Sequence, residues 1–329
     1  MPLVLTTLKI DRGDIQGCSI VPVAQPKIVI LLASRNGAEY LQQQLDSFRA
    51  QSYSNWELQV SDDGSTDSTI DVLKAFAESI PQPVTIRQGP RQGFWQNFMS
   101  LVRNGEIDGD LFAYSDQDDI WFSDKLARAV AWFETRDLSQ PALYFTRTEL
   151  IEADGTSRGY SPLFSRLPGF QNALVQNIGG GNTMVFNAAA RHSLRATPVD
   201  ASIVAHDWWT YQVTTGAGGV AHYDPRPSLQ YRQHGENLIG ANVGLRARLI
   251  RLHAFAGGRV VMWNEVNLKL LNRMRSMLTR ESIATLDFYA SARQAAWPRR
   301  PWLVWRSRVY RQRGVETLGL YLGALFGKL

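Results

Sequence analysis

The chain has 329 residues, of which 44% are hydrophobic, 11% aromatic and 20% charged, and it has a single cysteine, Cys18. This length and apolar fraction exclude a disordered chain and allow one large or two modest domains with a buried core. A lone cysteine excludes an internal disulfide and a cysteine-rich zinc site, which favours a reducing compartment. No apolar run approaches the roughly 18 residues of a spanning helix, and the N-terminus lacks the pattern of a secretory signal. We therefore expect a cytoplasmic protein.

The net charge of +5 hides an uneven distribution. From Leu245 to the end, the chain has sixteen Lys and Arg residues but only four Asp and Glu residues. The remainder is acidic overall. An acidic body followed by a basic C-terminal region suggests two separate roles.

The first half of the chain alternates strand and helix patterns. The β-branched run 27–33 predicts a strand that is covered on both faces, and further strands are predicted at 56–61, 84–87 and 111–115. Apolar residues at helical spacing predict helices after these strands, marked by Leu41, Leu45 and Phe48, by Ile70, Leu73 and Phe76, by Phe94, Phe98 and Leu101, and by Leu126, Ala129, Val130 and Phe133. Such short alternation predicts βαβ units and a mostly parallel sheet.

Other local patterns are less regular. Asn36, with Glu39 three residues later, resembles a capping box, which predicts Asn36 as the N-cap of the first helix. After residue 142 the pattern is irregular, with one short strand expected at 143–146. The predicted organisation is an irregular lead-in over 1–26, an α/β domain over 27–240 and a helical, basic, Trp-rich region over 241–329.

An acidic cluster directly follows the fourth predicted strand. Asp116, Asp118 and Asp119 repel one another, which raises their pKa values or requires a counter-cation. Mg²⁺ and Mn²⁺ prefer oxygen ligands and keep positions open for water and phosphate. A solvated turn is the alternative. The buried strand before the cluster and the adjacent Trp121 favour a metal site over that turn.

A second acidic pair, Asp62 and Asp63, follows the second predicted strand. Ligands of parallel sheets gather at the carboxyl ends of the strands, where a carboxylate accepts hydrogen bonds from a ribose or a base. The sequence Asp-Gly-Ser-Thr-Asp also suits a turn followed by a helix N-cap. The two interpretations are compatible, and both stay open at this point.

The order of these motifs resembles that of the family-2 inverting glycosyltransferases, which have the GT-A fold. The resemblance covers about residues 27–240 and rests on Ser34-Arg35-Asn36, on SDDGSTD at 61–67 and on YSDQDDIW at 114–121. The sequences DQDDIW, HDWW and YRQHGENLIG are similar to those of the bacterial rhamnosyltransferases that build surface polysaccharides. The resemblance implies a Rossmann-like α/β GT-A fold, with a mostly parallel central sheet flanked by helices and a C-terminal helical, basic extension.

The resemblance also implies a donor site and a metal site. Asp62 and Asp63 would hold the base and ribose of a nucleotide-sugar, and Asp119 would face the sugar or the metal shell. The residues expected around the nucleotide-sugar are Ser34, Asn36, Asp62, Asp63, Gln92, Asp116, Asp119 and Arg232. The DxD pair would bind Mn²⁺ or Mg²⁺, and the expected ligands are Asp116, Asp118 and His234.

Asp207 falls where the family places its catalytic base. The family usually has an acidic residue before that Asp, whereas this chain has His206. Inverting transfer needs one carboxylate to take the proton of the acceptor hydroxyl and a cation on the leaving diphosphate. A residue that only caps the following helix is the alternative for Asp207. The residues expected on the acceptor side are Gly180, Gly181, Asn182, Trp208 and Trp209, with the two tryptophans excluding water.

The basic C-terminal region suggests a membrane surface. Seven arginines and several aromatic residues alternate over 293–313, a pattern that suits anionic headgroups. The apolar run 318–326 is about half the length needed to span a bilayer. A packed helical appendage is the alternative, and the absence of a binding motif disfavours nucleic acid. We expect a peripheral contact with the inner face of the membrane.

Together these features predict a metal-dependent inverting glycosyltransferase. The predicted reaction moves L-rhamnose from dTDP-L-rhamnose onto a hydroxyl of a growing, lipid-linked surface glycan. The alternatives are transfer from a UDP-hexose, a nucleotidyltransferase and a noncatalytic sugar-nucleotide-binding protein. The segment 33–37 is a poor phosphate-binding loop for a nucleotidyltransferase, and the acidic pairs suit a nucleotide and a metal better than they suit a glycosidase.

Overall fold

A computed structural model describes residues 25–233, 259–327 and 329 of the chain. It confirms the strands and helices predicted in the first half. They are β1 (Ile28–Ser34), α1 (Ala38–Arg49), β2 (Trp56–Asp62), α2 (Thr69–Glu78), β3 (Val84–Gln88), α3 (Phe94–Arg103), β4 (Leu111–Ser115), β5 (Ile120–Trp121) and α4 (Lys125–Phe133). The predicted lead-in, apart from its last two residues, and Cys18 lie outside the described residues.

The second half contains more strand than the sequence predicted. Its elements are β6 (Ala142–Glu152), β7 (Ser157–Tyr160), α5 (Phe170–Ala173), β8 (Val185–Asn187), α6 (Ala188–Arg195), α7 (His206–Gly216), β9 (Val220–Gln233), α8 (Arg259–Arg273), α9 (Arg280–Gln294), α10 (Arg300–Ser307) and α11 (Gly314–Leu325). The expected strand at 143–146 is part of β6, which has 11 residues. The four C-terminal helices confirm the predicted helical region where it is described.

β9 was missed because Pro225 and Pro227 interrupt its pattern, and proline within an apolar run argues against a strand. The structure accommodates both prolines where the register between β6 and β9 shifts. Asp224 secures this irregular stretch, accepting hydrogen bonds from the Tyr144 hydroxyl at 2.7 Å and from Arg128 Nη2 at 2.8 Å. Burial opposes ionisation of Asp224, but the bonds from Arg226 and Arg128 hold its pKa well below the usual range.

The strands form one mixed sheet in the order β3-β2-β1-β4-β8-β6-β9-β5, with β7 paired to β6. The first four strands of this order are parallel, as predicted, whereas β8 is antiparallel to both β4 and β6. In the parallel half, Ser34 pairs with Asp62 and Leu32 pairs with Ser115. This register brings the carboxyl ends of β1, β2 and β4 to one edge of the sheet, where the acidic motifs begin.

Apolar side chains cover both faces of the sheet. One face packs on α1, α2 and α4 through residues such as Leu41 and Phe48. The other face packs on α3, α6 and α7, and its core continues without a break into the C-terminal helices through Leu271 and Tyr289. The C-terminal helices therefore share a core with the sheet. Among the described residues, no helix combines the length and the apolar character needed to cross a bilayer.

Candidate active site

Asp62 shapes the turn that ends β2. Its Oδ1 accepts a hydrogen bond from Ser34 Oγ at 3.0 Å, and its Oδ2 accepts from the backbone N–H groups of Gly64 and Ser65 at 3.1 and 2.8 Å. Gly64 has a φ of +89°, a conformation that favours glycine. The turn interpretation of this motif is therefore confirmed for Asp62, and a contact with the ribose or base stays a prediction.

Asp63 organises the loop that precedes α3. Its two carboxylate oxygens accept from the backbone N–H groups of Arg91 at 2.5 Å and Gly93 at 3.0 Å. Gln92 lies between these two anchors with its side chain exposed. The Asp63 carboxylate is 4% exposed, so its main structural effect is to fix this loop.

The predicted capping box at Asn36 is wrong. Asn36 has a φ of +48°, and its Oδ1 accepts from the backbone N–H of Thr66 at 2.8 Å instead of capping α1. The backbone N–H groups at the start of this helix are satisfied by side chains of the Asp-Gly-Ser-Thr-Asp loop and of the first residue of α2. Asp67 Oδ2 accepts from the N–H of Ala38 at 3.1 Å, and Thr69 Oγ1 accepts from that of Gly37 at 2.8 Å. A sequence-local rule missed this cap because the capping residues come from another loop.

Gln117 joins the end of β1 to the acidic loop that follows β4. Its Oε1 accepts from the backbone N–H of Arg35 at 2.8 Å, and its Nε2 donates to the Arg35 carbonyl at 3.0 Å. This two-bond bridge fixes the position of the residues on either side of it, Asp116 and Asp118. This bridging role of Gln117 was not predicted from the sequence.

Asp119 has a structural role that differs from the predicted one. Its side chain is fully buried, its Oδ2 accepts from Asn182 Nδ2 at 2.6 Å, and its Oδ1 accepts from the backbone N–H of Arg232 at 3.4 Å. A carboxylate in this position links three segments of protein and does not face a sugar. The same contact corrects the prediction for Asn182, which is buried against Asp119 and is not open to an acceptor.

Arg232 holds the acidic loop from the end of β9. Its guanidinium donates to the carbonyl oxygens of Asp118 and Ala153 at 3.1 and 2.7 Å and to Gln43 Oε1 at 2.6 Å. The side chain is 2% exposed and lies over the Tyr40 ring. These bonds occupy the guanidinium with protein oxygens, and a contact of Arg232 with the nucleotide-sugar stays a prediction.

Lys125 is a buried cation that the sequence analysis missed. Its Nζ donates to the backbone carbonyl of Asn182 and lies 3.8 Å from the centre of the Trp121 ring. Burial lowers the pKa of Lys125 to about 7, and the charges of Asp119 and Asp116 oppose that shift. The signal was present in the sequence, because Lys125 stands one turn before Ala129 on the apolar stripe of α4.

Asp116 lies among other carboxylates. Burial and then the charges of Asp118 and Asp207 raise its pKa to about 7, and the charge of Lys125 acts in the opposite direction. Asp207 is thus near enough to repel Asp116, although the two are far apart in sequence. In the described parts of the chain, no donor is hydrogen-bonded to the Asp116 carboxylate.

Two crowded carboxylates at the end of a strand are a suitable partial ligand set for Mg²⁺ or Mn²⁺, which leave further positions to water and phosphate. Within residues 25–233, 259–327 and 329, no group of three or more His, Cys, Asp or Glu side chains is arranged to hold a metal ion. His234, the predicted third ligand, lies outside the described residues. The charge crowding at Asp116 nevertheless fits a cation at this position.

Asp207 lies in the first turn of α7 and is only partly buried. Burial raises its pKa to about 6, against hydrogen bonds from the N–H of Trp208, the side chain of Asn177 and the N–H of Gly181. The bond from Trp208 N to Asp207 Oδ1 measures 2.6 Å. A carboxylate with this pKa is ionised at neutral pH and is still basic enough to accept a proton, as a general base requires.

The residues around Asp207 are mainly packing residues. The His206 ring stacks on Phe98 at 3.9 Å and lies edge-on to Tyr114, and burial lowers its pKa to about 3. Neither of its ring nitrogens has a hydrogen-bond partner among the described residues. Gly181 is buried against this ring, where a Cβ atom would collide with Nε2, whereas Gly180 is exposed.

The two tryptophans after Asp207 do not face an acceptor. Trp208 Nε1 donates to the Ala173 carbonyl at 2.6 Å, and Trp209 Nε1 donates to Thr197 Oγ1 at 2.9 Å. Their exposed fractions are 7% and 0%. The predicted acceptor-side role of both residues is corrected, because α7 is covered on nearly every side and its aromatic residues belong to the core.

Comparison with known proteins identifies the family. Residues 29–195 match the model of the glycosyl transferase family 2. The chain belongs to this family. It is 26% identical over 235 residues to the dTDP-rhamnosyl transferase RfbG of Shigella flexneri, a match that covers 67% of this chain and 78% of RfbG.

Solved structures show that this family-2 glycosyltransferase has the GT-A fold, with its mixed central sheet flanked by helices. The structure of TarS residues 1–349 from S. aureus in complex with UDP-GlcNAc matches at a TM-score of 0.55 and 14% identity, covering 91% of this chain and 81% of that one. The mannosyltransferase PcManGT from Pyrobaculum calidifontis, in complex with GDP-Man and Mn²⁺, matches at a TM-score of 0.51 and 19% identity. This match covers 94% of this chain and 89% of that one.

Replacing Lys125 with Met tests the charge balance of the site in this glycosyltransferase. We expect the free energy of unfolding to fall by about 3 kcal/mol, because the Asn182 carbonyl loses its donor and two buried carboxylates lose a compensating charge. Urea denaturation at neutral pH measures the change.

The matched control is Lys269→Met, which removes an exposed lysine paired with Glu265 on the surface of α8. An exposed pair of this kind contributes little to stability, so we expect almost no change in the free energy of unfolding. Equal losses in the two variants would contradict the proposed role of Lys125.

Proposed function

We propose that this protein transfers L-rhamnose from dTDP-L-rhamnose to a hydroxyl of a growing, lipid-linked surface glycan, at the cytoplasmic face of the cell membrane. The observation that carries the proposal is the approach of Asp207 to the Asp116 carboxylate, which brings a base and a cation site into one centre. The similarity to a dTDP-rhamnosyl transferase supports rhamnose as the sugar.

In this proposal Asp207 is the general base. Its carboxylate takes the proton of the acceptor hydroxyl while that oxygen forms a bond to the anomeric carbon of the sugar. The bond from that carbon to the diphosphate breaks on the opposite face, so the configuration inverts. The N–H groups of Trp208 and Gly181 and the side chain of Asn177 orient the carboxylate and keep its pKa from rising further.

The leaving diphosphate needs positive charge instead of a proton. Asp116 and Asp118 would hold Mn²⁺ or Mg²⁺, with His234 as the proposed third ligand, and the bound ion would supply electrostatic stabilisation of the diphosphate. Gln117 and Arg232 hold this loop in place through Arg35 and through the Asp118 carbonyl. The loop that carries the two aspartates is therefore held by the protein itself.

We place the nucleotide at the carboxyl ends of β1 and β2. Ser34, Asn36, Asp62 and Asp63 lie there, and Gln92 is exposed on the loop that Asp63 anchors. Because the two aspartates already accept backbone hydrogen bonds, we propose that they act on the nucleotide mainly by fixing the loops around it.

A panel of sugar nucleotides with purified full-length protein and Mn²⁺ tests the reaction. With dTDP-L-rhamnose and a glycan acceptor, we expect dTDP release at least tenfold faster than nucleotide release from UDP-glucose, UDP-GlcNAc or GDP-mannose. Faster turnover of a UDP-hexose would contradict rhamnose as the sugar. Release of pyrophosphate would indicate a nucleotidyltransferase, and binding without turnover would indicate a noncatalytic protein.

Asp207→Asn tests the base, because the change removes the charge and keeps the shape of the side chain. We expect kcat to fall by about 10²–10⁴-fold, the usual contribution of a general base, with little change in the Kd for dTDP. Asp200→Asn is the matched control, since Asp200 is exposed and paired with Arg273 on the surface. Normal turnover by Asp207→Asn would remove Asp207 from the base role.

The pKa of Asp207 predicts the acidic limb of the pH profile. Because only the ionised base is active, kcat/KM should be constant above about pH 6 and fall about tenfold per pH unit below it. Asn177→Ala removes a hydrogen bond that lowers this pKa, so the limb should move to higher pH. Asn55→Ala, at an exposed asparagine before β2, should leave the profile unchanged. If the acidic limb of the pH profile of kcat/KM falls at the same pH in the wild type and in Asn177→Ala, ionisation of Asp207 does not control that limb.

A further inference from the structure

α11 presents an exposed apolar stripe. Val315, Leu318, Leu322 and Phe326 recur every three or four residues and are 82%, 59%, 49% and 76% exposed. This spacing places them along one side of the helix. The buried residues of the same helix, such as Leu320 and Ala324, pack into the core. α11 thus has apolar side chains on two sides, of which only one is covered.

The neighbouring segment adds exposed tryptophans. Trp297, Trp302 and Trp305 are 64%, 53% and 62% exposed, and α10, which carries the last two, packs on α11. The start of α10 lies beside the end of α11, where Arg300 approaches Gly327. Tryptophan is enriched where protein meets the membrane–water interface, since its ring is apolar and its N–H is polar. We call these three tryptophans and the α11 stripe the C-terminal face.

The segment that carries the C-terminal face is rich in exposed arginine. Arg299, Arg306, Arg308 and Arg313 are exposed. The segment's one acidic residue, Glu316, is paired with Arg311 at 3.3 Å. An apolar surface bordered by arginine complements a layer of anionic headgroups above acyl chains.

Exposed apolar side chains are concentrated on this face. Over the described residues, fourteen large hydrophobic side chains are exposed, and the seven that form the C-terminal face lie within residues 297–326. Single exposed hydrophobic residues are ordinary, whereas a cluster marks an interaction surface. The composition of this cluster suits a lipid surface.

The C-terminal face is connected to the base. The segment that joins α10 to α11 contacts the residues just before Asn177. Asn172 Nδ2 donates to the Tyr310 carbonyl at 3.0 Å, Arg311 Nη1 donates to the Val175 carbonyl at 3.2 Å, and the N–H of Gln312 donates to Gln176 Oε1 at 2.8 Å. The Asn177 side chain is near enough to Asp207 to lower the pKa of its carboxyl. The helices that carry the C-terminal face are therefore hydrogen-bonded, through the segment between them, to the residues next to Asn177.

We infer that α10 and α11 dock the protein on an anionic phospholipid bilayer through the C-terminal face, with their helices lying in the plane of the headgroups. Docking would hold the segment 172–177 and the adjoining base at the membrane, where a lipid-linked acceptor would be presented. This second statement rests on the proposed function, whereas docking itself needs neither donor nor acceptor.

Co-sedimentation of the full-length protein with vesicles tests the inference. We expect binding to vesicles of 70% phosphatidylcholine and 30% phosphatidylglycerol that is at least tenfold tighter than binding to phosphatidylcholine alone. Binding should weaken as salt is raised, and the tryptophan emission should shift to shorter wavelength. Equal affinity for the two compositions, or no binding to either, would overturn the inference.

The double variant Leu318→Glu/Leu322→Glu places two negative charges in the stripe, at side chains that are already exposed. We expect it to lose at least tenfold in affinity for the anionic vesicles. The matched control is Val199→Glu, which adds a charge at an 85% exposed apolar residue outside the C-terminal face and should bind as the wild type does. Equal affinity of the double variant and the wild type would contradict docking through α11.

Sedimentation velocity tests whether the C-terminal face binds a second copy of the chain instead of a lipid surface. A monomeric wild type that binds vesicles supports the inference. A wild-type dimer that the double variant disrupts, without vesicle binding, would instead make the C-terminal face a contact between copies and overturn it. These vesicles contain no glycan and no donor, so failure of rhamnosyl transfer leaves this test intact. Transfer to a water-soluble acceptor should be the same for wild type and double variant.

Discussion

Repulsion among carboxylates is the constraint on which the site depends. Asp116, Asp118, Asp119 and Asp207 converge, and burial makes their repulsion stronger than it would be in water. Two of these carboxylates accept hydrogen bonds from other groups of the protein. Asp119 accepts from Asn182 and from the backbone of Arg232, and Asp207 accepts from N–H groups at the start of α7. Lys125 offsets part of the remaining charge. This arrangement leaves Asp116 without a protein donor among the described residues. A divalent ion would be stabilised most beside a carboxylate in this condition.

The aspartates of the acidic motifs form hydrogen bonds within the protein and so hold its loops in place. Asp62, Asp63 and Asp67 each accept hydrogen bonds from backbone N–H groups, and together they fix the turn after β2, the loop before α3 and the first turn of α1. Loops at strand ends are ordinarily the more mobile parts of a fold. Here the carboxylates tie three such loops to one another, so a nucleotide would meet a surface that is already organised.

The C-terminal helices belong to the same packed body as the catalytic centre. Their apolar side chains extend the core that α7 shares with the sheet, and the segment between α10 and α11 is hydrogen-bonded to residues 172–176. A surface on these helices is therefore coupled to Asp207 through direct contacts instead of a flexible linker. These contacts connect the C-terminal helices to the segment that precedes Asn177.

Much of the fold followed from the sequence alone. Apolar periodicity predicted β1 to β4 and the helices after them, because each of these elements buries one consistent set of side chains. The order of the acidic motifs identified the family before any geometry was known. Prediction from the spacing of apolar residues failed where burial is not periodic. α7 is covered on nearly all sides, so Trp208 and Trp209 resembled site residues, and the prolines of β9 hid a strand whose register shifts accommodate them.

The sequence by itself determined the elements of the first half, the family and the residue types available for catalysis, since these depend on local spacing and on motif order. Only the tertiary structure decided which side chains work together. Asp119 proved to be a buried link, Arg232 a clamp on the acidic loop, and Lys125 a counter-charge for carboxylates on another segment. The reason is physical: whether a charge binds a ligand or holds the fold depends on the donors and acceptors that other parts of the chain bring within hydrogen-bonding distance.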